Sequence, residues 1–182
     1  MGASALNGIA AKRDLSAPTA NQLWNSLVRG MFELDDNRIG QMRRGLARLQ
    51  QPDKRCVTLN FFSANEVALL RQTALAQEFR RAQSEIKHRG RAVFQDFDVC
   101  FPAPRTGAFD QVATQLETGL YKASGELSDP PLAEAFRLSD FAIQHYPVGA
   151  QGIGIHRDGK RHRQIVVIIT LDGASRLFTC AD

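Results

Sequence analysis

The hydrophobic pattern of this 182-residue chain changes from mainly helical to β-like after the connection Asp129-Pro130-Pro131. Before that connection, apolar residues recur every three or four positions, which predicts amphipathic helices. From Leu138 onward the helical spacing disappears, and short apolar stretches follow one another between turn residues. A helical first part followed by a β-rich last part predicts an α+β fold.

The first part contains four predicted helices and two predicted strands. The clearest start is Ser63, because Glu66 stands three residues later and completes a capping box. The second helix is expected to end before Gln51-Pro52, since proline disfavours a helical residue in front of it. The helices are predicted over 19–32, 35–49, 63–79 and 109–121, and the strands over 57–62 and 89–101.

The last part contains four predicted β segments, 138–146, 152–157, 164–171 and 176–180. The segment Gln164–Leu171 is apolar on both of its alternating faces, which is typical of a strand that is buried on both sides. Asp172-Gly173 follows it and predicts a hairpin turn that returns the chain as Arg176–Cys180.

Composition limits the class of protein. The longest apolar run has seven residues, whereas a membrane helix needs about 20, so no membrane helix is expected. The three cysteines lie far apart and form no C-x-x-C pair, which favours a reduced, cytoplasmic protein. Lys and Arg exceed Asp and Glu by 23 − 19 = 4, an excess that allows an anionic partner without requiring one.

His156-Arg157-Asp158 is the pattern that carries chemistry. Side chains alternate along a strand, so His156 and Asp158 are predicted on one face, while Gly152 and Gly154 leave that face open. A His and an Asp in this arrangement supply two of the three ligands of a 2-His-1-carboxylate site, which binds Fe(II) and leaves coordination positions free. The alternative interpretation is a surface hydrogen bond between the two side chains.

The run from His145-Tyr146 through Gly149 to His156-Arg157-Asp158, followed by the apolar strand and the Asp-Gly turn, resembles the opening strands of the Fe(II)/2-oxoglutarate-dependent dioxygenases. The resemblance implies a double-stranded β-helix core, jelly-roll or cupin-like, with the helical N-terminal half packed on it. We therefore expect a flexible leader over 1–19, a mainly helical support region over 20–135 and the first strands of the core over 136–182.

The same resemblance implies the cofactors and the site. His156 and Asp158 would bind Fe(II), 2-oxoglutarate would chelate the iron through its keto-carboxylate end, and O2 would take the last site. No catalytic residue beyond the metal ligands is implied. Tyr146 matches a strand tyrosine that hydrogen-bonds the cosubstrate, with a half-buried core tyrosine as the alternative. Arg176 is a candidate for binding the cosubstrate carboxylate, with a solvated strand-end arginine as the alternative.

Two members of the expected site have no counterpart in the sequence. The family pattern places a distal His several strands later and an Arg after it, and neither His145 nor His162 stands at such a position. We therefore expect that the 182 residues carry about the first half of the barrel and are inactive by themselves.

The substrate stays open at this point. Arg157, Lys160, Arg161 and Arg163 form a basic cluster beside the motif, which suits an anionic substrate, or is a solvated loop. An AlkB-type nucleic-acid demethylase or binding module is therefore one alternative, although Gln144 replaces the Asn of that subfamily. A non-catalytic barrel fragment is the other alternative.

Overall fold

The computed structural model describes residues 30–88, 91–132, 136–158, 164–174 and 176–179. Within these ranges the fold is a mixture of helices and small antiparallel sheets, and their strands form no closed barrel. Most of the predicted first helix and the predicted leader lie outside the described residues. The helices are α1 (Asp36–Leu49), α2 (Ala64–Leu75) and α3 (Gly107–Gly125). The strands are β1 (Arg80–Arg81), β2 (Glu85–His88), β3 (Arg91–Asp96), β4 (Asp98–Cys100), β5 (Ile143–His145) and β6 (Gly152–Ile153).

Local capping fixes the starts of α1 and α2. The Asp35 carboxylate accepts a hydrogen bond from the Arg38 backbone N–H at 2.7 Å and so satisfies a free donor at the start of α1. The capping box predicted at Ser63 is present, since Ser63 and Glu66 each accept from the other's backbone N–H. The Arg38 guanidinium also donates to Glu66 at 2.6 Å, so the two helix starts are joined.

Helix α3 is the centre of the larger core and packs against both α1 and α2. The close approach of α1 depends on Gly119, because a Cβ at that position would lie 2.7 Å from the Met42 sulfur and 2.9 Å from a Leu34 methyl group. The buried apolar side chains of the core include Ile39, Met42, Leu46, Leu70, Val112, Leu116 and Leu120. The helices predicted over 35–49, 63–79 and 109–121 are confirmed, and the one predicted over 63–79 ends at Leu75.

The strands form two three-stranded antiparallel sheets, ordered β1-β4-β5 and β2-β3-β6. Only Phe97 separates β3 from β4, so the chain passes directly from one sheet into the other. Phe97 is 2% exposed and packs with Ala82, Val99 and Ile153 in a second, smaller core at this junction. The predicted strand 89–101 is therefore two strands with a break at Phe97.

The segment Gln164–Leu171 differs from its prediction. Its odd-numbered side chains, Ile165 to Leu171, pack on the helical core, but Val166 and Ile168 are 52% and 66% exposed. The described residues provide no pairing strand for it, and the predicted burial on both faces is wrong. The alternation of burial still has the period of two expected of extended chain.

Two further strand predictions and one hairpin prediction are wrong within the described residues. Residues 57–62 and 176–179 lie in no sheet, because no neighbouring strand satisfies their backbone groups. Gly173 has φ +68°, as a turn at Asp172-Gly173 requires, but the described residues on its two sides do not pair as a hairpin. The segments 138–146 and 152–157 form strands only over β5 and β6. Conversely, β1 and β2 were not predicted.

None of the helices within the described ranges is both long and apolar enough to cross a membrane. Cys56 is an exposed free thiol and Cys100 a buried one, while Cys180 lies outside the described residues. The domain limits at 19 and 135 stay predictions.

Candidate metal centre

Strand β6 precedes the His156-Arg157-Asp158 segment, and its pairing with β3 fixes where that segment begins. Gly152 lies opposite Asp96 in the antiparallel register with β3, and the Gly154 N–H donates to the Phe94 carbonyl at 2.8 Å. Gly152 has φ +86°, a conformation that disfavours other residues, and a Cβ at Gly154 would lie 3.3 Å from the Phe94 nitrogen. The backbone therefore favours glycine at position 152, and a side chain at position 154 would need Phe94 to shift by a few tenths of an ångström.

His156 and Asp158 do converge, although they lie beyond the end of β6 and not on a strand. The His156 Nε2 atom is 3.6 Å from Asp158 Oδ1, and the two side chains are 35% and 55% exposed. Two ligands about 2.1 Å from one metal ion stand roughly 3.0–3.4 Å apart at octahedral to tetrahedral angles. The His156–Asp158 distance of 3.6 Å is slightly longer than this range, so a small shift would let both bind one ion, and the same distance also suits a surface contact.

The hydrogen bond of the other ring nitrogen assigns the tautomer. His156 Nδ1 lies 2.8 Å from the Gly154 carbonyl oxygen, which can only accept, so Nδ1 carries a proton. In the neutral ring, Nε2 then has a free lone pair on the side of Asp158. Histidine ligands of metals usually have this arrangement, with the second nitrogen donating to a carbonyl or carboxylate.

Tyr146 follows β5 and is 42% exposed. Its hydroxyl donates to the Gln144 side-chain oxygen at 2.9 Å, and its ring lies 5.2 Å from the Phe97 ring. Partial burial raises the pKa of the Tyr146 hydroxyl, so it is a neutral donor at physiological pH. Among these described residues, Tyr146 makes no contact with His156 or Asp158, and its cosubstrate role stays a prediction.

Arg176 is exposed and lies on no strand, so the predicted placement on a fourth strand is wrong. The structure does not bring it into contact with His156 or Asp158. Of the basic cluster, Arg157 is described and exposed, whereas Lys160 to Arg163 lie outside the described residues. The role predicted for Arg176 stays untested.

A group of polar residues beside the motif was not found by sequence reasoning. Asp96 binds the Arg81 guanidinium and accepts from the Gln151 backbone N–H at 2.7 Å. Asp98 lies 3.4 Å from Arg81 and 3.7 Å from His145 Nδ1. The available signal was Asp96-Phe97-Asp98, two acidic residues that flank a buried aromatic residue within a predicted strand.

Within the described residues, no three His, Cys, Asp or Glu side chains are grouped closely enough to hold a metal ion. The donors present are thus the nitrogen and carboxylate of His156 and Asp158, which suit two positions of a mixed nitrogen-oxygen site. No family model, curated protein or solved structure matches the chain.

Proposed function

We propose that His156 and Asp158 are two metal ligands of an Fe(II)/2-oxoglutarate-dependent dioxygenase, whose double-stranded β-helix begins with the strands after Leu138. The observation that supports the proposal best is the two contacts made by the His156 imidazole. Its Nδ1 is held by the Gly154 carbonyl at 2.8 Å, and its Nε2 faces the Asp158 carboxylate at 3.6 Å. This arrangement offers one nitrogen and one oxygen donor on the same side.

The chain's own residues would orient the ligands before any ion arrives. The carbonyl of Gly154 keeps the proton on Nδ1, so Nε2 can donate its lone pair without a tautomeric change. Gly154, whose carbonyl accepts from His156, presents no side chain, and both ligands are accessible to solvent. When bound, Fe(II) would supply the oxidative decarboxylation of 2-oxoglutarate to succinate and the oxidation of a substrate by O2.

The proposal requires a third protein ligand and a carboxylate-binding residue in addition to the described pair. Tyr146 is retained as a candidate neutral hydrogen-bond donor for the cosubstrate, since burial raises the pKa of its hydroxyl. Arg176 is retained as a candidate cation, since it is exposed and therefore accessible to a carboxylate.

The nucleic-acid alternative rests on the basic cluster that follows His156. A demethylase or binding module of the AlkB type would show affinity for DNA or RNA that falls steeply as salt is added. A non-catalytic barrel fragment would bind neither metal nor 2-oxoglutarate. These two outcomes separate the alternatives from the proposed oxygenase.

The test is anaerobic Mn(II) binding to the full 182-residue chain, with and without 2-oxoglutarate. The paramagnetic resonance signal of free Mn(II) measures how much of the ion is bound. We expect weak binding, because the described residues supply two protein ligands, and we expect 2-oxoglutarate to strengthen it by occupying free coordination positions. His156→Ala and Asp158→Ala should each lose at least about tenfold in affinity, because each removes a ligand. His145→Ala is the matched control, since His145 contacts Asp98 and Phe79 instead. Unchanged Mn(II) affinity in His156→Ala would contradict the assignment, as would an equal loss in His145→Ala.

A further inference from the structure

Asp96 lies where the two sheets meet, and its carboxylate is contacted from two sides. One oxygen binds the Arg81 guanidinium of β1, and the other accepts the Gln151 backbone N–H at 2.7 Å. The hydrogen bond from the Gln151 N–H lowers the pKa of Asp96 most, and the hydrogen bond from the Arg81 guanidinium lowers it further. A single charged carboxylate thus joins the β1-β4-β5 sheet to the chain that enters β6.

A short series of contacts leads from Asp96 to the imidazole of His156. Asp96 is opposite Gly152, and the next pair along the ladder is Gln95 with Ile153. One residue further, the Gly154 N–H donates to the Phe94 carbonyl at 2.8 Å. The carbonyl of the same Gly154 then accepts from His156 Nδ1, also at 2.8 Å.

We infer that the Arg81–Asp96 ion pair positions His156, by fixing the start of β6 and through it the Gly154 carbonyl that orients the imidazole. The inference rests on the proposed function where metal binding is concerned. Strand β6 has only two residues, so its ladder with β3 contains few hydrogen bonds. A hydrogen bond to a charged acceptor is stronger than one to a neutral acceptor, and it anchors this short ladder at the end where the chain enters.

Asp98 supplies a matched control. It binds the same arginine, at 3.4 Å, and it lies two residues from Asp96 on the neighbouring strand. Its other contact is His145 at 3.7 Å, and neither contact reaches the segment from Gln151 to His156. A general loss of stability from a broken Arg81 pair would therefore appear in both Asp96→Ala and Asp98→Ala. A positioning effect would appear only in Asp96→Ala.

The first measurement needs no metal. The full chain is labelled with ¹⁵N-histidine, and the ring nitrogens of His156 are assigned by their disappearance in His156→Ala. In the wild type we expect the neutral ring to carry its proton on Nδ1, as the contact with Gly154 requires. In Asp96→Ala the shifts should move toward those of a mixture of tautomers, while Asp98→Ala should retain the wild-type shifts. Asp96→Asn should restore only part of the pattern, since an amide oxygen still accepts the Gln151 N–H but forms no ion pair with Arg81.

The second measurement is the Mn(II) affinity of the same variants at a temperature at which all of them are folded. Loss of groups that orient metal ligands costs about 10- to 100-fold in affinity, so we expect at least about tenfold weaker binding in Asp96→Ala. Asp98→Ala should stay within about threefold of the wild type, as expected of a residue outside this series of contacts.

Wild-type nitrogen shifts in Asp96→Ala would overturn the inference, and so would an equal change in Asp98→Ala. If the wild type binds no Mn(II), the proposed function fails, and the nitrogen shifts still decide whether Asp96 positions His156.

Discussion

Arg105 and Glu117 form a two-point ion pair, with Nη1 to Oε1 at 2.8 Å and Nη2 to Oε2 at 2.9 Å. Glu117 lies in the middle of α3, and Arg105 lies in the connection that precedes this helix. The pair also holds Leu138, whose N–H donates to Glu117 at 2.8 Å and whose carbonyl accepts from Arg105 at 3.3 Å. The helical core is thereby tied to the point where the β-rich part begins.

Replacing Glu117 with Gln should therefore weaken the whole fold. Hydrogen bonds to charged groups contribute about 1.5–3 kcal/mol when the groups are partly buried, so we expect a loss of that size in the free energy of unfolding. Urea denaturation at pH 7 measures it. Glu126→Gln is the control, because its pair with Arg43 at 3.0 Å is exposed and should contribute less than about 1 kcal/mol. Equal losses in the two variants would contradict the prediction.

The same pair predicts how stability depends on pH. Burial alone would raise the pKa of Glu117, but the hydrogen bonds from Arg105 and Leu138 lower it by more, so it lies below its ordinary value of 4.5. The Glu66 pKa is lowered in the same way by Arg38 and Ser63 against the effect of burial. Because the folded state prefers the charged forms, this stabilisation is complete above about pH 4.5 and is lost as the pH falls through the folded-state pKa values.

Thermal melting between pH 7 and pH 3 tests this dependence. The wild-type melting temperature should fall in the acid range, and Glu117→Gln should show a shallower fall, since it lacks one of the groups that take up a proton on unfolding. An identical slope for the variant and the wild type would show that Glu117 does not contribute.

Gly119 should not tolerate a methyl group. A Cβ there would come within 3.0 Å of Met42 and Leu34, and Met42 is buried, so the ends of these two side chains would have to move within a packed core. We expect Gly119→Ala to lower the free energy of unfolding by about 1–3 kcal/mol. Gly125→Ala in the same helix is the matched control, because nothing lies within 4 Å of its added methyl group. The control should be neutral or gain up to about 1 kcal/mol from helix propensity, measured by urea denaturation.

Neighbouring isoleucines in the segment Gln164–Leu171 should respond differently to the same substitution. Ile169 packs on the helical core, whereas Ile168 is 66% exposed. Ile169→Ser should lower the free energy of unfolding by about 1.5–3 kcal/mol, and Ile168→Ser should change it by less than about 0.5 kcal/mol. Equal losses would indicate that both faces of this segment are covered, as its sequence predicts.

The sequence predicted correctly those features that depend on contacts between residues close together in the chain. Ser63 and Glu66 stand three residues apart, so their mutual hydrogen bonds form within one helical turn and the start of α2 follows from the sequence. His156 and Asp158 are two residues apart, and their convergence likewise needs only a short stretch of backbone. The contacts named here join residues no more than three positions apart, so a short sequence pattern can predict them.

Tertiary structure decided the features that depend on distant partners. The pattern of Gln164–Leu171 allows burial on both faces, but only the helical core lies against it among the described residues, so Val166 and Ile168 are exposed. Arg81, Asp96 and Gln151 are separated by up to 70 positions, and only the pairing of β1 with β4 and of β3 with β6 brings them together. A sequence pattern indicates which side chains favour burial or charge pairing. Which residues bury them or pair with them depends on how the whole chain packs.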